Sequence, residues 1–124
     1  MCMVGYLEGT DPLFLSRLVV DGYDTLPLSN GADNHGKYIG LVTKNDGIDV
    51  IVGFFHKIIP PADMNMTCDD ILYSAKLHKI PVILIAPAAS HEKAQKKLGR
   101  SAKIVRLVTP DQIWDATMEI LKGK

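Results

Sequence analysis

Residues 48–55 read IDVIVGFF and residues 81–86 read PVILIA. Both runs are short, almost continuously apolar and rich in β-branched side chains. A strand with one face in water alternates apolar and polar residues, whereas a strand covered on both faces does not. The two runs therefore predict central strands of a parallel sheet with helices on both sides. Outward from them, residues 2–7, CMVGYL, and residues 103–108, KIVRLV, predict two further strands. Residues 25–28, TLPL, predict a fifth. Pro27 puts that strand at an edge, because proline has no N–H to give to a ladder.

The segments between the runs carry helix signals. Asp11-Pro12 is an N-cap followed by proline at the first helical position, and Gly22 ends that helix after Leu13, Arg17, Leu18 and Val20. Tyr38, Leu41 and Val42 predict a short second helix ending near Gly47. Thr67 caps a third, whose buried stripe is Ile71, Leu72, Ala75 and Leu77, with Asp69 and Asp70 complementing its N-terminal dipole. Ser90 caps a fourth that stops at Gly99. Thr109-Pro110-Asp111-Gln112 is a capping box for the last, with Ile113, Ala116, Thr117, Ile120 and Leu121 inward. The longest irregular stretch is residues 56–66, with Pro60-Pro61 inside it. Five strands alternating with five helices predict an α/β fold of three layers, αβα. A five-stranded parallel sheet of this kind takes the flavodoxin-like order 2-1-3-4-5. The 124 residues fill one such domain, residues 1–124, with almost nothing over.

Composition removes several functions. Lys plus Arg is 14 and Asp plus Glu is 14, so the net charge is zero, and a dedicated nucleic-acid-binding domain would be strongly basic. No apolar run approaches the ~18 residues of a membrane span, and without an n-region/h-region pattern at the start a secretory signal is not expected. Cys2 and Cys68 are 66 residues apart with no CxxC, so a disulfide scaffold is not expected and a reducing, cytoplasmic compartment is. No His, Cys or carboxylate spacing matches a metal site, and no cofactor is expected. The neutral total hides a gradient. Residues 1–62 carry four basic and seven acidic groups, and residues 91–124 carry eight and four.

The pattern as a whole resembles the receiver domains of two-component response regulators. Residues 8–18 (EGTDPLFLSRL), 22–32 (GYDTLPLSNGA), 56–63 (HKIIPPAD), 80–86 (IPVILIA) and 106–112 (RLVTPDQ) carry the resemblance. A receiver transfers a phosphoryl group to an aspartate beside an acidic pair that holds Mg²⁺. Here the aspartate's position falls on Phe54 or His56, and the acidic pair's on Gly9-Thr10. Ala86 stands where receivers have the switch Ser/Thr, and Thr109 where they have the Lys, although Pro110 is kept. The resemblance thus implies a pseudo-receiver, a non-catalytic signalling or interaction module. A second resemblance, to methylglyoxal synthase-like domains, runs through Gly9-Thr10, Gly31, Gly40, Ile48-Asp49-Val50 and Ile80-Pro81-Val82. It implies binding of a small phosphorylated or other anionic metabolite. The synthase Gly-Gly-Asp is replaced by Asn34-His35-Gly36. Asp33-Asn34-His35 only partly matches the cobalamin motif, because Tyr38 stands where that motif has glycine.

Ligands of such sheets bind beyond the carboxyl ends of the strands, at the switch point. The ligand-binding candidates are therefore Glu8, Thr10, Asp11, His56, Lys57 and Ser90. His35, His78 and His91 read as surface residues. His56 could serve as an acid or base, but the sequence identifies no partner for it, so no catalytic residue is assigned. The basic cluster Lys93, Lys96, Lys97, Arg100, Lys103 and Arg106, together with Trp114, is the candidate docking surface for an acidic protein partner. A homodimer stays open.

Overall fold

The computed structural model describes residues 2–31, 36–60 and 65–123. The expected α/β architecture is present. The strands are β1 (Met3–Leu7), β2 (Asp24–Ser29), β3 (Lys37–Tyr38), β4 (Val50–Phe54), β5 (Val82–Ile85) and β6 (Val105–Val108). The helices are α1 (Pro12–Val20), α2 (Cys68–Ile71), α3 (Tyr73–Leu77), α4 (His91–Leu98) and α5 (Ile113–Lys122). All six strands are parallel, in the order β3-β2-β1-β4-β5-β6. Without β3, this is the flavodoxin-like order 2-1-3-4-5.

The sixth strand corrects the expectation of five. β3 pairs only Lys37 and Tyr38 with Leu28 and Ser29, so β2 is not the outermost strand. Pro27 lies one residue before that pairing begins, which is how proline is tolerated there. No α-helix forms between β2 and β4 among the described residues. Two 3-10 turns, Ile39–Leu41 and Lys44–Asp46, stand in its place. Thr43 and Asp46 form a capping box that opens a new turn, and Gly47 at φ 68° closes it. Ile39 and Val42 go inward there, Tyr38 packs partly buried against the same core, and Leu41 is exposed.

The sheet separates two cores. Along β4 and β5, Ile51, Val82 and Leu84 enter one, and Val50, Val52, Ile83 and Ile85 enter the other. The first is covered by α2, α3 and α4 through Cys68, Ile71, Ala75 and Leu98. The second is covered by α1 and α5 through Phe14, Leu18, Ile113, Ala116, Met118 and Leu121. Period-two alternation with apolar residues on both sides gives the continuous runs of the sequence. Each fully buried aliphatic side chain contributes about 1.5–3 kcal/mol. Asp49, the polar residue in IDVIVGFF, precedes β4 and accepts the Met3 N–H at 2.8 Å, which ties the start of β1 to β4. Gly53 lets β4 lie under Leu7, since a Cβ there would come within 2.8 Å of Leu7 Cδ1.

Local signals specify the helix starts. Asp11 accepts from Leu13 N at 3.0 Å with Pro12 at the first position of α1. Thr67 and Asp70 exchange side-chain bonds at the start of α2. Thr109 and Gln112 do the same ahead of α5, across a 3-10 turn, Pro110–Gln112. In α1 the inward residues are Phe14 and Leu18, and Leu13 and Val20 are exposed. The third helix departs from expectation: it is broken at Leu72, and Leu77 faces out at 59% exposure. Asp69 and Asp70 lie in the first turn of α2. Asp69 also pairs with Lys76 Nζ (2.6 Å) and accepts from Ser101 Oγ (2.7 Å). Among the described residues, no helix is long and apolar enough to cross a membrane.

Candidate functional site: a cleft beyond the fourth and fifth strands

The loop after β1 does not form the expected crevice wall. Thr10 is buried, and its hydroxyl donates back to the Leu7 carbonyl at 2.7 Å. The Asp11 carboxylate is held by the amide it caps. Gly9 turns at φ 89°, and the Lys57 side chain runs across it, with Cε 3.5 Å from the position of a Cβ. The Lys57 carbonyl accepts from Asn30 Nδ2 at 2.6 Å. The β1–β4 switch point is thus occupied by the protein's own loops. Glu8 stays exposed beside it.

The cleft lies one strand further along. It has a volume of about 480 Å³ and opens between the carboxyl ends of β4 and β5 and the stripe of α4 that faces them. Phe54, Phe55 and His56 line it from the end of β4, Ile85, Ala86 and Pro87 from the end of β5, and Pro110 from beyond β6. Ser90, Lys93, Ala94 and Lys97 complete it. Those four are spaced i, i+3, i+4 and i+7, which places them on one helical face. A short 3-10 turn, Ala88–Ser90, feeds the chain from β5 into α4. Ser90 sits at the N-cap of α4 without making a side-chain cap bond.

The wall between β5 and α4 is tied by His91, whose Nε2 lies 2.9 Å from the Ala86 carbonyl. A carbonyl oxygen only accepts, so Nε2 is the donor. His56 is exposed, with its ring 5.7 Å from that of Phe54 and tilted by 35°. None of the described lining residues is acidic. The cleft therefore combines an apolar floor with cations and hydrogen-bond donors along one rim.

Of the ligand-binding candidates, the structure brings His56 and Ser90 to the cleft and leaves Glu8, Thr10, Asp11 and Lys57 outside its lining. Lys93 and Lys97, expected on a docking surface, border it instead. Their i, i+4 spacing on a helix starting at a strand's carboxyl end was the sequence signal for this. Lys96, Arg100 and Lys103 are exposed outside it. Arg106 pairs with Glu119 at 2.7 Å between β6 and α5. Trp114 turns toward α1, where Phe14 meets it edge-on at 6.0 Å and Arg17 stacks over its ring at 3.7 Å. His35 and Asp63 lie outside the described residues.

The two cysteines are free. Burial pushes the Cys68 thiol up, and the nearby Lys97 charge only partly opposes this. That thiol is a core residue, not an activated nucleophile. Among the described residues, no group of three or more His, Cys, Asp and Glu stands together as a metal site would require.

No protein-family model matches the chain, and the search of curated proteins found no match.

Proposed function

We propose that the chain is a small-molecule-binding domain that takes an anionic metabolite in the cleft beyond β4 and β5. The observation that carries this reading is the cleft's composition. An apolar hollow with a few convergent polar groups is the usual form of a ligand site. Here those groups are Lys93, Lys97, His56 and Ser90. The basic excess of residues 91–124 adds an attractive field around the same rim. The reading concerns binding and assigns no reaction. With both cysteines free, we attach to it a reducing, cytoplasmic setting.

Thermal denaturation with a panel of carboxylated and phosphorylated metabolites at millimolar concentration tests it. A ligand at ten times its Kd adds about 1.4 kcal/mol, which raises the Tm of a domain this size by several degrees. Lys93→Glu with Lys97→Glu should abolish the rise. Flat melting temperatures across the panel would remove the reading.

A second reading keeps the receiver resemblance: an interaction module with no phosphoryl chemistry, docking an acidic protein or a second copy of itself. Phe54 and His56, not an aspartate, follow the core of β4, and Lys96, Arg100 and Lys103 form an exposed basic surface outside the cleft. On this reading, acetyl phosphate with Mg²⁺ leaves the intact mass unchanged. A stable phosphoaspartate would refute it.

A further inference from the structure

We infer that the cleft selects one anionic group, a carboxylate or a phosphate, carried on a flat apolar body and discriminates against polyhydroxylated, sugar-like metabolites. The inference rests on the binding reading above and specifies its ligand class.

Three observations carry it. First, the floor and far wall are Phe54, Phe55, Ile85, Pro87 and Pro110, none of which has a side-chain hydrogen-bonding group. A polyhydroxylated ligand would press its hydroxyls against rings and methyl groups with nothing to replace the lost water. A planar apolar body meets no such penalty. Second, the charge is one-sided. Lys93 and Lys97 project from successive turns of α4, and Ser90 precedes them on the same stripe. No described lining residue offers a carboxylate to a cationic ligand. The site therefore takes one anionic group at one end and an apolar body at the other.

Third, side chains supply donors for the anion. The Ser90 N–H donates to the Pro87 carbonyl at 2.9 Å, and the His91 N–H donates to the Ala88 carbonyl, so the 3-10 turn spends these two amides. The lining adds two ammonium groups, one hydroxyl and an imidazole. That set suits a carboxylate or a phosphate.

The experiment titrates the full chain, ¹⁵N-labelled, with four probes: phenylacetate, phenylacetamide, phenyl phosphate and glycerol 3-phosphate. Phenylacetate should shift the amides of residues 54–56, 86–90 and 93–97 saturably. Its affinity should be at least tenfold above that of the neutral amide and above that of glycerol 3-phosphate, and phenyl phosphate should bind at the same amides. Lys93→Met with Lys97→Met should erase the preference for phenylacetate over phenylacetamide while leaving the amide's weak binding in place. Lys96→Met, a control outside the cleft, should change nothing. Tighter binding of glycerol 3-phosphate than of phenylacetate and phenyl phosphate at the same amides would overturn the ligand class and leave the binding reading standing. Equal affinity for phenylacetate and phenylacetamide would overturn charge selection. If none of the four probes shifts these amides, both the inference and the reading beneath it fall.

Discussion

The imidazole of His91, in the first turn of α4, donates from Nε2 to the carbonyl of Ala86 at the end of β5, across 2.9 Å. Ala86 is buried and lines the cleft, so this bond holds one wall in place. Removing the imidazole leaves that carbonyl without this donor, at a cost of about 1 kcal/mol. His91→Ala should therefore lower the urea midpoint with little change in the m-value. An unchanged midpoint would show that water replaces the donor without loss.

Arg17 stacks over Trp114 at 3.7 Å and joins α1 to α5. Trp114 is the only tryptophan of the chain, so its fluorescence reports on the surroundings of this one ring. Arg17→Ala should cost about 0.5–1 kcal/mol, the value of an exposed cation–π pair. It should also red-shift the emission as water reaches the ring. An identical spectrum would mean that the stack does not persist in solution.

Gly53 lies in β4 at the centre of the sheet, where an added Cβ would stand 2.8 Å from Leu7 Cδ1 and 2.9 Å from Leu7 Cβ. Buried strands on both sides leave Leu7 little room to withdraw. Gly53→Ala should destabilise the fold by about 1–3 kcal/mol through overpacking. Gly53→Ala combined with Leu7→Ala should recover less than the overpacking term, because the second change opens its own cavity. Chemical denaturation of the three variants checks both statements.

Two aspartates make stability depend on acid. The Lys37 ammonium, bonded at 2.7 and 2.9 Å, holds the Asp46 carboxyl below its usual range, with the Thr43 amide assisting. Lys76 and then Ser101 do the same for Asp69. A carboxyl whose folded pKa is depressed stabilises the fold fully above its unfolded value of about 3.9, and that stability is lost as pH falls through the folded value. Unfolding free energy should therefore be insensitive to these groups between pH 7 and 5 and fall below about pH 4. Asp46→Asn and Asp69→Asn should each cost about 0.2–1 kcal/mol at pH 7, the range of solvent-accessible pairs. The loss should shrink toward pH 2. A constant difference at every pH would exclude the electrostatic cause.

The sheet was legible because burial on both faces leaves a mark in one dimension. IDVIVGFF and PVILIA read as central strands, and β4 and β5 are central. The caps at Asp11, Thr67 and Thr109 were legible because each is completed within four residues. β3 was not, because its two residues become a strand only by pairing with β2. The helix expected around Leu41 failed because the Thr43–Asp46 capping box starts a fresh turn in the middle of the stripe. The rule that ligands bind beyond strand ends pointed to His56 and Ser90, and both line the cleft. It pointed equally to Thr10 and Asp11, which do not line the cleft: the Thr10 hydroxyl donates to the Leu7 carbonyl, and Asp11 Oδ1 accepts from the Leu13 N–H.

The order of apolar runs and caps along the chain, read alone, established a layered α/β fold with its five longer strands in the right sequence. Those features depend on periodicity and on neighbours a few residues apart, which a linear text records. The position of the cleft did not follow from that text. It depends on Lys57 lying across Gly9 at the switch point, and on α4 turning Lys93 and Lys97 toward Phe54 and Ile85. In the sequence those lysines belong to a basic run that fits any exposed face. Packing α4 against the ends of β4 and β5 makes two of them the rim of a cleft.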